Sequence, residues 1–257
     1  MKIIGVIPAR YNSSRLPGKP MADINGKPMI QHVFERVKKS SLIKDVYIAT
    51  DDVRIFKCAL RFGGKVILTS KSHQSGTDRV AEAAEKIKAD IIVNIQGDEP
   101  LIMPEMIDQA VKPFLEDNEI NMSTLVKKIT RTEELFNPNT AKVILDKDNN
   151  AIYFSRSPIP FVRDIEKFNI TNFKKSGMLK KFVFYKHIGL YVYTKKFLLK
   201  IVNLPMSNYE KIEKLEQLRV LENGYKIKAV ETTYDTLGVD TQFELNKVRN
   251  IMKKIKA

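Results

Sequence analysis

The chain has 257 residues, enough for one substantial core with at most a small appended subdomain. Its 43% hydrophobic and 29% charged content are those of a globular protein, and no segment reaches the ~20 apolar residues of a membrane helix. A net charge of +14 raises nucleic-acid binding, but the lysines are spread along the chain, and neither an aromatic-interleaved basic motif nor zinc-ligand spacing accompanies them. A Lys-rich surface, with some cations committed to a small anionic substrate, is the plainer account. Cys58 stands alone, so no intramolecular disulfide forms and a reducing compartment fits. Lys2 leads into a short strand-like run with no small-residue cleavage site, which argues against a signal peptide and makes the cytoplasm the expected location.

The first half alternates strand and helix patterns at the spacing of βα units. Ile3-Ile4-Gly5-Val6-Ile7 reads as a buried strand running into Pro8-Ala9-Arg10-Tyr11-Asn12-Ser13-Ser14-Arg15-Leu16-Pro17-Gly18-Lys19-Pro20, too rich in Ser, Gly and Pro for a helix. Asn25-Gly26 signals a turn, and Pro28 suits the start of a helix with Ile30, Val33, Phe34 and Val37 on one face. Val46–Ala49 is a second strand, Ile55, Ala59 and Phe62 mark a helix ended by Gly63-Gly64, and Val66–Leu68 is a third strand. Thr77 is placed to cap the next helix, with Val80, Ala83, Ala84 and Ile87 inward. Ile91–Ile95 is the clearest buried parallel strand, and a helix from about Pro104 carries Met106, Ile107, Ala110, Val111 and Phe114.

The second half changes character. Lys142–Leu145, a turn at Asn149-Asn150 and Ile152–Phe154 predict a β-hairpin, and the polar stretch Arg163–Lys181 reads as a long loop. Ile188–Tyr193 is a strand followed by a helix through Phe197 and Ile201. Glu210–Asn223 predicts one continuous helix with Ile212, Leu215, Leu218 and Leu221 inward. Tyr225–Val230 is a strand, and a terminal helix carries Leu245, Val248, Met252 and Ile255. With neither repeat nor linker, residues 1–257 are expected to form one α/β domain with a β-containing excursion at about 140–193.

Polar clusters sit where the predicted strands end: Arg10, Arg15 and Lys19 after the first, Asp51-Asp52 after the second, Gln74–Arg79 after the third, then Gln96-Gly97-Asp98-Glu99 and Asp240. Parallel strands deliver their carboxyl ends to one sheet edge, so these clusters should meet in one cleft. Backbone amides and the three cations suit a triphosphate. Asp98 and Asp240 are candidates for holding Mg²⁺, which binds through one or two carboxylates plus substrate phosphates. A strand-end Asp is also a common turn former or helix cap, and Asp240 precedes Thr241 where a helix starts. The opening loop is not a Walker A loop, because Pro20 follows Gly18-Lys19 and Ser13 stands where the first Gly belongs. No Ser/His/Asp order and no His-x-x-x-His spacing supports hydrolase or zinc chemistry, and His187 beside Tyr191 is open to reading as a ligand contact or a satisfied structural His.

Taken together, Ile7–Pro20, His73-Gln74-Ser75-Gly76-Thr77-Asp78-Arg79, Asn94-Ile95-Gln96-Gly97-Asp98-Glu99-Pro100, Tyr153–Pro160, Lys186–Tyr191, Leu215-Glu216-Gln217-Leu218-Arg219 and Gly238-Val239-Asp240 resemble the signature series of the 3-deoxy-manno-octulosonate (Kdo) cytidylyltransferases. The resemblance covers nearly the whole chain in order. It implies an open, mostly parallel, Rossmann-like nucleotidyltransferase sheet and Mg²⁺-dependent transfer of CMP from CTP to the anomeric hydroxyl of Kdo, for lipopolysaccharide biosynthesis. By likeness, Pro8, Ala9, Arg10, Arg15, Lys19, Ser75 and Gly76 would bind the nucleotide, with Lys19, Asp98 and Asp240 catalytic and the two aspartates carrying metal. Arg79, Gln96, His187, Tyr191, Glu216 and Gln217 would form the sugar site. A homodimer is implied, joined through the central β-excursion. Asn208-Tyr209 departs from the Pro-Leu common in relatives, near Glu216-Gln217, which leaves a related acid such as 8-amino-Kdo as an alternative acceptor.

Overall fold

In the computed structural model, which describes residues 1–13 and 15–256, the opening apolar run is strand β1 (Ile3–Ala9) at the heart of a sheet. Ser14 of the cationic loop and the side chain of Ile255 lie outside the described residues. Alternation along β1 sends Ile3, Ile7 and Ala9 into one apolar layer and Ile4 and Val6 into another on the opposite face. A strand covered on both faces must be apolar throughout, which is why this one reads as an unbroken hydrophobic run.

The elements then follow in the predicted rhythm. Two-residue strands β2 (Asp23–Ile24) and β3 (Lys27–Pro28) close around Asn25-Gly26, whose φ of 54° and 89° are those a tight two-residue hairpin needs. Helix α1 (Met29–Val37) buries Ile30, Val33, Phe34 and Val37. Next come β4 (Asp45–Thr50), α2 (Val53–Arg61), β5 (Lys65–Leu68), α3 (Gly76–Glu85) and β6 (Ile91–Asn94). Helices α4 (Pro104–Val111) and α5 (Pro113–Glu116) share the span expected to be one helix, with Pro113 starting the second. Strand β7 (Met122–Lys128) and helix α6 (Thr132–Phe136) were not anticipated. The hairpin β8 (Lys142–Leu145) and β9 (Ala151–Ser155) is as expected.

Arg163–Lys181 is not a loop throughout. It contains α7 (Ile170–Ser176), capped by Asn169, and α8 (Met178–Lys181), separated by Gly177 at φ 67°. Its few apolar groups gather sideways: Ile165 and Phe173 join Ile129, Leu135 and Phe184 in a small separate core. That packing, not helical periodicity, orders the segment. Strand β10 (Tyr185–Thr194) and helix α9 (Lys195–Ile201) follow.

The single helix expected at 210–223 is instead α10 (Asn208–Glu213) and α11 (Leu218–Glu222), broken at Lys214 with φ 52°. Tertiary contacts override the periodicity. The Glu213 carboxylate accepts from Ser155 Oγ (2.6 Å) and Arg156 N (2.9 Å), and the Arg156 guanidinium donates to the carbonyls of Glu213 (2.7 Å) and Lys214 (3.3 Å). The carbonyls freed at a helix end are thereby satisfied. Ile212, expected inward, is 77% exposed. Strand β11 (Lys228–Glu231) and helix α12 (Gln242–Lys256) complete the chain, with Leu245, Val248 and Met252 buried.

The strand order is β11-β7-β10-β6-β1-β4-β5, with β8 pairing β10 and carrying β9. Strand β1 runs parallel to β4 and β6, β4 to β5, and β11 to β7, while β10 runs antiparallel between β6 and β7. The sheet is therefore mostly parallel, with one reversed strand in its middle and helices on both faces. Strands β1, β4, β5, β6, β7 and β11 all point their carboxyl ends to one edge. There the segments leaving β1 and β6 nearly touch: a Cβ at Gly97 would lie 2.7 Å from the Pro8 carbonyl oxygen. No larger residue fits unless backbone moves. Gly97→Ala should accordingly lower unfolding stability by about 1–3 kcal/mol, read as a reduced urea midpoint at unchanged slope.

Candidate active site

The carboxyl edge of the sheet opens into a cavity of about 300 Å³. Pro8, Ala9, Arg10, Arg15, Lys19, Ser75 and Gly76 all line it, as do Arg79, Gln96, Asp98 and Asp240. The opening loop folds back on itself to get there. The Gly18 amide donates to the Tyr11 carbonyl (3.0 Å), and Gly18 adopts φ 69°, a left-handed backbone on which a side chain would also meet the Tyr11 ring at 3.2 Å. The Arg54 guanidinium stacks on the Tyr11 ring at 3.3 Å and forks onto Asp52 at 2.9 and 2.6 Å, pinning the loop to the start of α2.

Lys19 is the centre of the charge arrangement. Its Nζ donates to Asp98 Oδ2 (2.5 Å) and Asp240 Oδ1 (3.0 Å), and Arg15 pairs with the other Asp240 oxygen at 3.0 Å. Burial alone would lower the Lys19 pKa, but Asp98 and Asp240 outweigh it and the net shift is upward, so the ammonium stays charged. Asp240 does not cap α12. Thr241 does, with its Oγ1 accepting from Glu244 N (3.3 Å) and the Glu244 carboxylate accepting from Thr241 N (2.9 Å). That reciprocal cap leaves the Asp240 carboxylate free for Lys19 and Arg15. Two carboxylates converging on one cation are fewer than a closed protein cage, and suit Mg²⁺ when phosphates complete its shell. Beside them, burial and the Asp98 charge push the Glu99 carboxyl up to about 8.

The cap of α3 is also shifted from expectation. Ser75, not Thr77, is the N-cap, in a reciprocal bond with Asp78 (3.1 Å each way). Thr77 therefore sits in the first helical turn, where its hydroxyl donates to Glu216 (3.1 Å); Ser75 Oγ donates to the same carboxylate at 3.3 Å. Burial raises the Glu216 pKa, partly offset by the Thr77 bond.

The residues assigned to the sugar are divided. Tyr191, Glu216 and Gln217 line a second hollow of about 20 Å³, room for a water molecule, together with Thr77, Tyr193 and Arg219. The buried Gln217 Nε2 has no hydrogen-bond partner there. His187 stacks at a tilt 5.3 Å from Tyr191 and edge-on to Phe154. Arg79 and Gln96 instead border the larger cavity. Arg79 is 3% exposed, and its guanidinium is held by Thr69 Oγ1 (2.6 Å), Ser70 O (3.4 Å) and Asp51 (3.1 Å). Glu216, bonded to Ser75, ties the two cavities together.

Full-length comparison decides the family. A family model described as cytidylyltransferase matches residues 4–227. The chain belongs to the cytidylyltransferase family. Among its relatives, a 3-deoxy-manno-octulosonate cytidylyltransferase of Geotalea uraniireducens is 51% identical over 254 residues, 99% of this chain and 100% of the relative. One of the same description from Geobacter metallireducens is 50% identical over 248 residues, 96% of each chain. A solved CMP:2-keto-3-deoxy-manno-octonic acid synthetase, complexed with CTP, superposes with a TM-score of 0.90 at 42% identity, covering 99% of this chain and 100% of that one. The opening-loop cations thus line the strand-end cavity of a chain of the cytidylyltransferase family. The sequence reading left Thr124 and Arg219 out: Thr124 sits on the unread strand β7, which is buried without a break from Met122 to Val126 and so shows no alternation to read.

One buttress of the cytidylyltransferase cleft has a pH signature. Glu82 accepts from Ser70 N (2.7 Å), His73 Nε2 (2.6 Å) and Lys86 Nζ (2.8 Å), bracing the segment that leads to Ser75. Burial pushes its pKa up, but these three donors overcome that and draw it down to about 2. A depressed carboxylate stabilises the fold above its unfolded pKa of about 4.5 and loses that contribution as pH falls towards 2. Glu82→Gln should remove roughly 1–3 kcal/mol at pH 7 and flatten the loss of stability between pH 4.5 and 2, measured by urea unfolding across that window.

Proposed function

We propose that this chain transfers CMP from CTP to the anomeric hydroxyl of Kdo, releasing pyrophosphate. The observation that carries this is the meeting of Lys19, Asp98, Asp240 and Arg15 in the strand-end cavity of a chain alike over its full length to Kdo cytidylyltransferases. In-line attack on the α-phosphorus gathers negative charge on the phosphoryl and leaving oxygens. Arg10, Arg15 and Lys19 are the fixed cations that stabilise it, and Pro8, Ala9, Ser75 and Gly76 wall the nucleotide. Asp98 and Asp240 would hold Mg²⁺ against the phosphates, where the ion supplies charge neutralisation. Lys19 then exchanges a carboxylate partner for a phosphate one.

On the acceptor side, Tyr191, Glu216 and Gln217 offer hydrogen-bonding groups for sugar hydroxyls, and the unpartnered Gln217 amide is a donor in want of an acceptor. Arg79 faces the sugar carboxylate from the larger cavity while Asp51 steadies its guanidinium. A pocket of about 20 Å³ is too small for an eight-carbon acid, so the α10–α11 break or its neighbours shift when sugar enters. The product is an activated sugar for lipopolysaccharide assembly, and CTP and an unpaired Cys58 both fit the cytoplasm.

The excursion gives the chain a surface for a second copy of itself. Phe161 (67% exposed), Phe182 (59%) and Val183 (55%) stand out around the small core near α7 and α8. Phe182→Asp should shift the protein towards monomer in sedimentation equilibrium with its fold intact by circular dichroism. The decisive assay is pyrophosphate release with each of four NTPs, with and without Kdo. Release is expected with CTP plus Kdo, and Asp98→Asn should lower it by about 10²–10³-fold in the folded protein. Near-normal turnover in that variant would remove Asp98 from the mechanism, and preference for a non-ulosonic acceptor would replace Kdo.

A further inference from the structure

Strand β10 does not pair evenly with β7. His187 and Ile188 face Val126 and Leu125, but the next pair is Tyr191 with Thr124, so Gly189 and Leu190 form a bulge. The bulge turns two β10 carbonyls onto one buried hydroxyl. Thr124 Oγ1 lies 2.8 Å from Leu190 O and 3.2 Å from Ile188 O, and 2.9 Å from His187 Nε2. Thr124 is fully buried, so bulk water does not compete for these partners.

A hydroxyl has one proton to give. Both carbonyls can only accept, and an oxygen 2.8 Å from a carbonyl oxygen without a proton between them would be repelled. The Thr124 proton therefore goes to the bulge, and Thr124 must accept from His187. From this bookkeeping we infer that Thr124 is a positioning residue that locks His187 as the Nε2–H tautomer, leaving Nδ1 as a lone-pair acceptor for a sugar hydroxyl. Nδ1 has no partner among the described residues. Burial keeps the ring neutral, its pKa lowered to about 3, so a second ring proton does not fill that lone pair at neutral pH. Phe154 edge-on and Tyr191 alongside hold the ring plane, at centroid distances of 5.1 and 5.3 Å. The assignment rests on the reading of His187 as part of the sugar site, and it adds the atom that does the work and the residue that sets it.

The test is nitrogen-15 NMR of the ring together with kinetics in CTP and Kdo. In the wild-type protein, the His187 spectrum should show a pyrrole-type Nε2 and a pyridine-type Nδ1 across pH 6–8 (the ordinary His range, about 6.5). Thr124→Val, which keeps the shape and removes the hydroxyl, should mix the tautomers and raise the KM for Kdo roughly tenfold, with the KM for CTP unchanged. Thr124→Ser should restore both. A wild-type ring protonated on Nδ1 overturns the inference without recourse to any variant, as does a Thr124→Val enzyme whose tautomer and KM for Kdo are those of wild type. Equal losses in both KM values would mark Thr124 as a packing residue only and also overturn it. Absence of any CTP-plus-Kdo turnover in the wild type would instead defeat the proposed reaction, and the spectrum would still decide the tautomer.

Discussion

The active edge depends on one ammonium. Lys19 bonds two carboxylates, Asp98 and Asp240, and the second comes from 221 residues away in sequence. Unpaired, two carboxylates so close would repel each other and push their two segments apart. Asp98 leaves β6 one residue after Gly97, where contact with the Pro8 carbonyl allows no side chain. Asp240 stays available only because Thr241 and Glu244 cap α12 between themselves, and the Val239 amide bonds the Asp98 carbonyl at 2.9 Å, stitching the two segments together. The sheet supplies convergence, the glycine supplies closeness and the cap supplies a free carboxylate.

A second constraint links the two hollows. Glu216 accepts from Ser75 and Thr77, both at the start of α3, while its own position follows from the break at Lys214. That break is enforced from the excursion: Ser155 and Arg156, at the end of β9, take the Glu213 carboxylate and the last carbonyls of α10. Across the break, Arg219 clamps Glu210 at 2.6 and 2.8 Å. The β8–β9 hairpin is therefore coupled to the smaller hollow through hydrogen bonds.

Sequence patterning resolves those parts whose cause is local. The β1–β6 half was legible because strands buried on both faces are apolar throughout and their helices carry an apolar stripe. The lining of the larger cavity was legible because its residues follow strand ends, and strand ends share an edge. What escaped has non-local causes. Strand β7 reads Met122-Ser-Thr-Leu-Val-Lys-Lys, half polar, because Ser123 and Thr124 are buried by bonds to the Ala110 carbonyl and to the β10 bulge. The helix expected at 210–223 has the right period and is broken by groups nearly 60 residues distant, and α7 is ordered by aromatic packing against Phe184 and Phe136. Arg79 shows the limit for side chains: its charge and location were readable, its bond to Asp51 was not.

The two hollows are built for different physical problems. A triphosphate carries charge that must be met by charge, and Arg10 and Arg15 stand open to water, where ions are cheaply hydrated before a ligand arrives, with only Lys19 drawn inward between its carboxylates. A sugar carries hydroxyls, which discriminate only if each donor and acceptor has a fixed direction. That requires a drier setting where a mismatched polar group is costly. The reversed strand β10 provides it: His187, Tyr191 and Tyr193 project from one strand beside Phe154, and burial raises the pKa of both tyrosines and lowers that of the histidine. All three are thereby held neutral at physiological pH, so that what they offer a ligand is hydrogen-bond direction and not charge. A parallel strand at this place would have carried its own strand-end loop into the cleft. An antiparallel one brings a rigid row of rings, which is the form hydroxyl recognition needs.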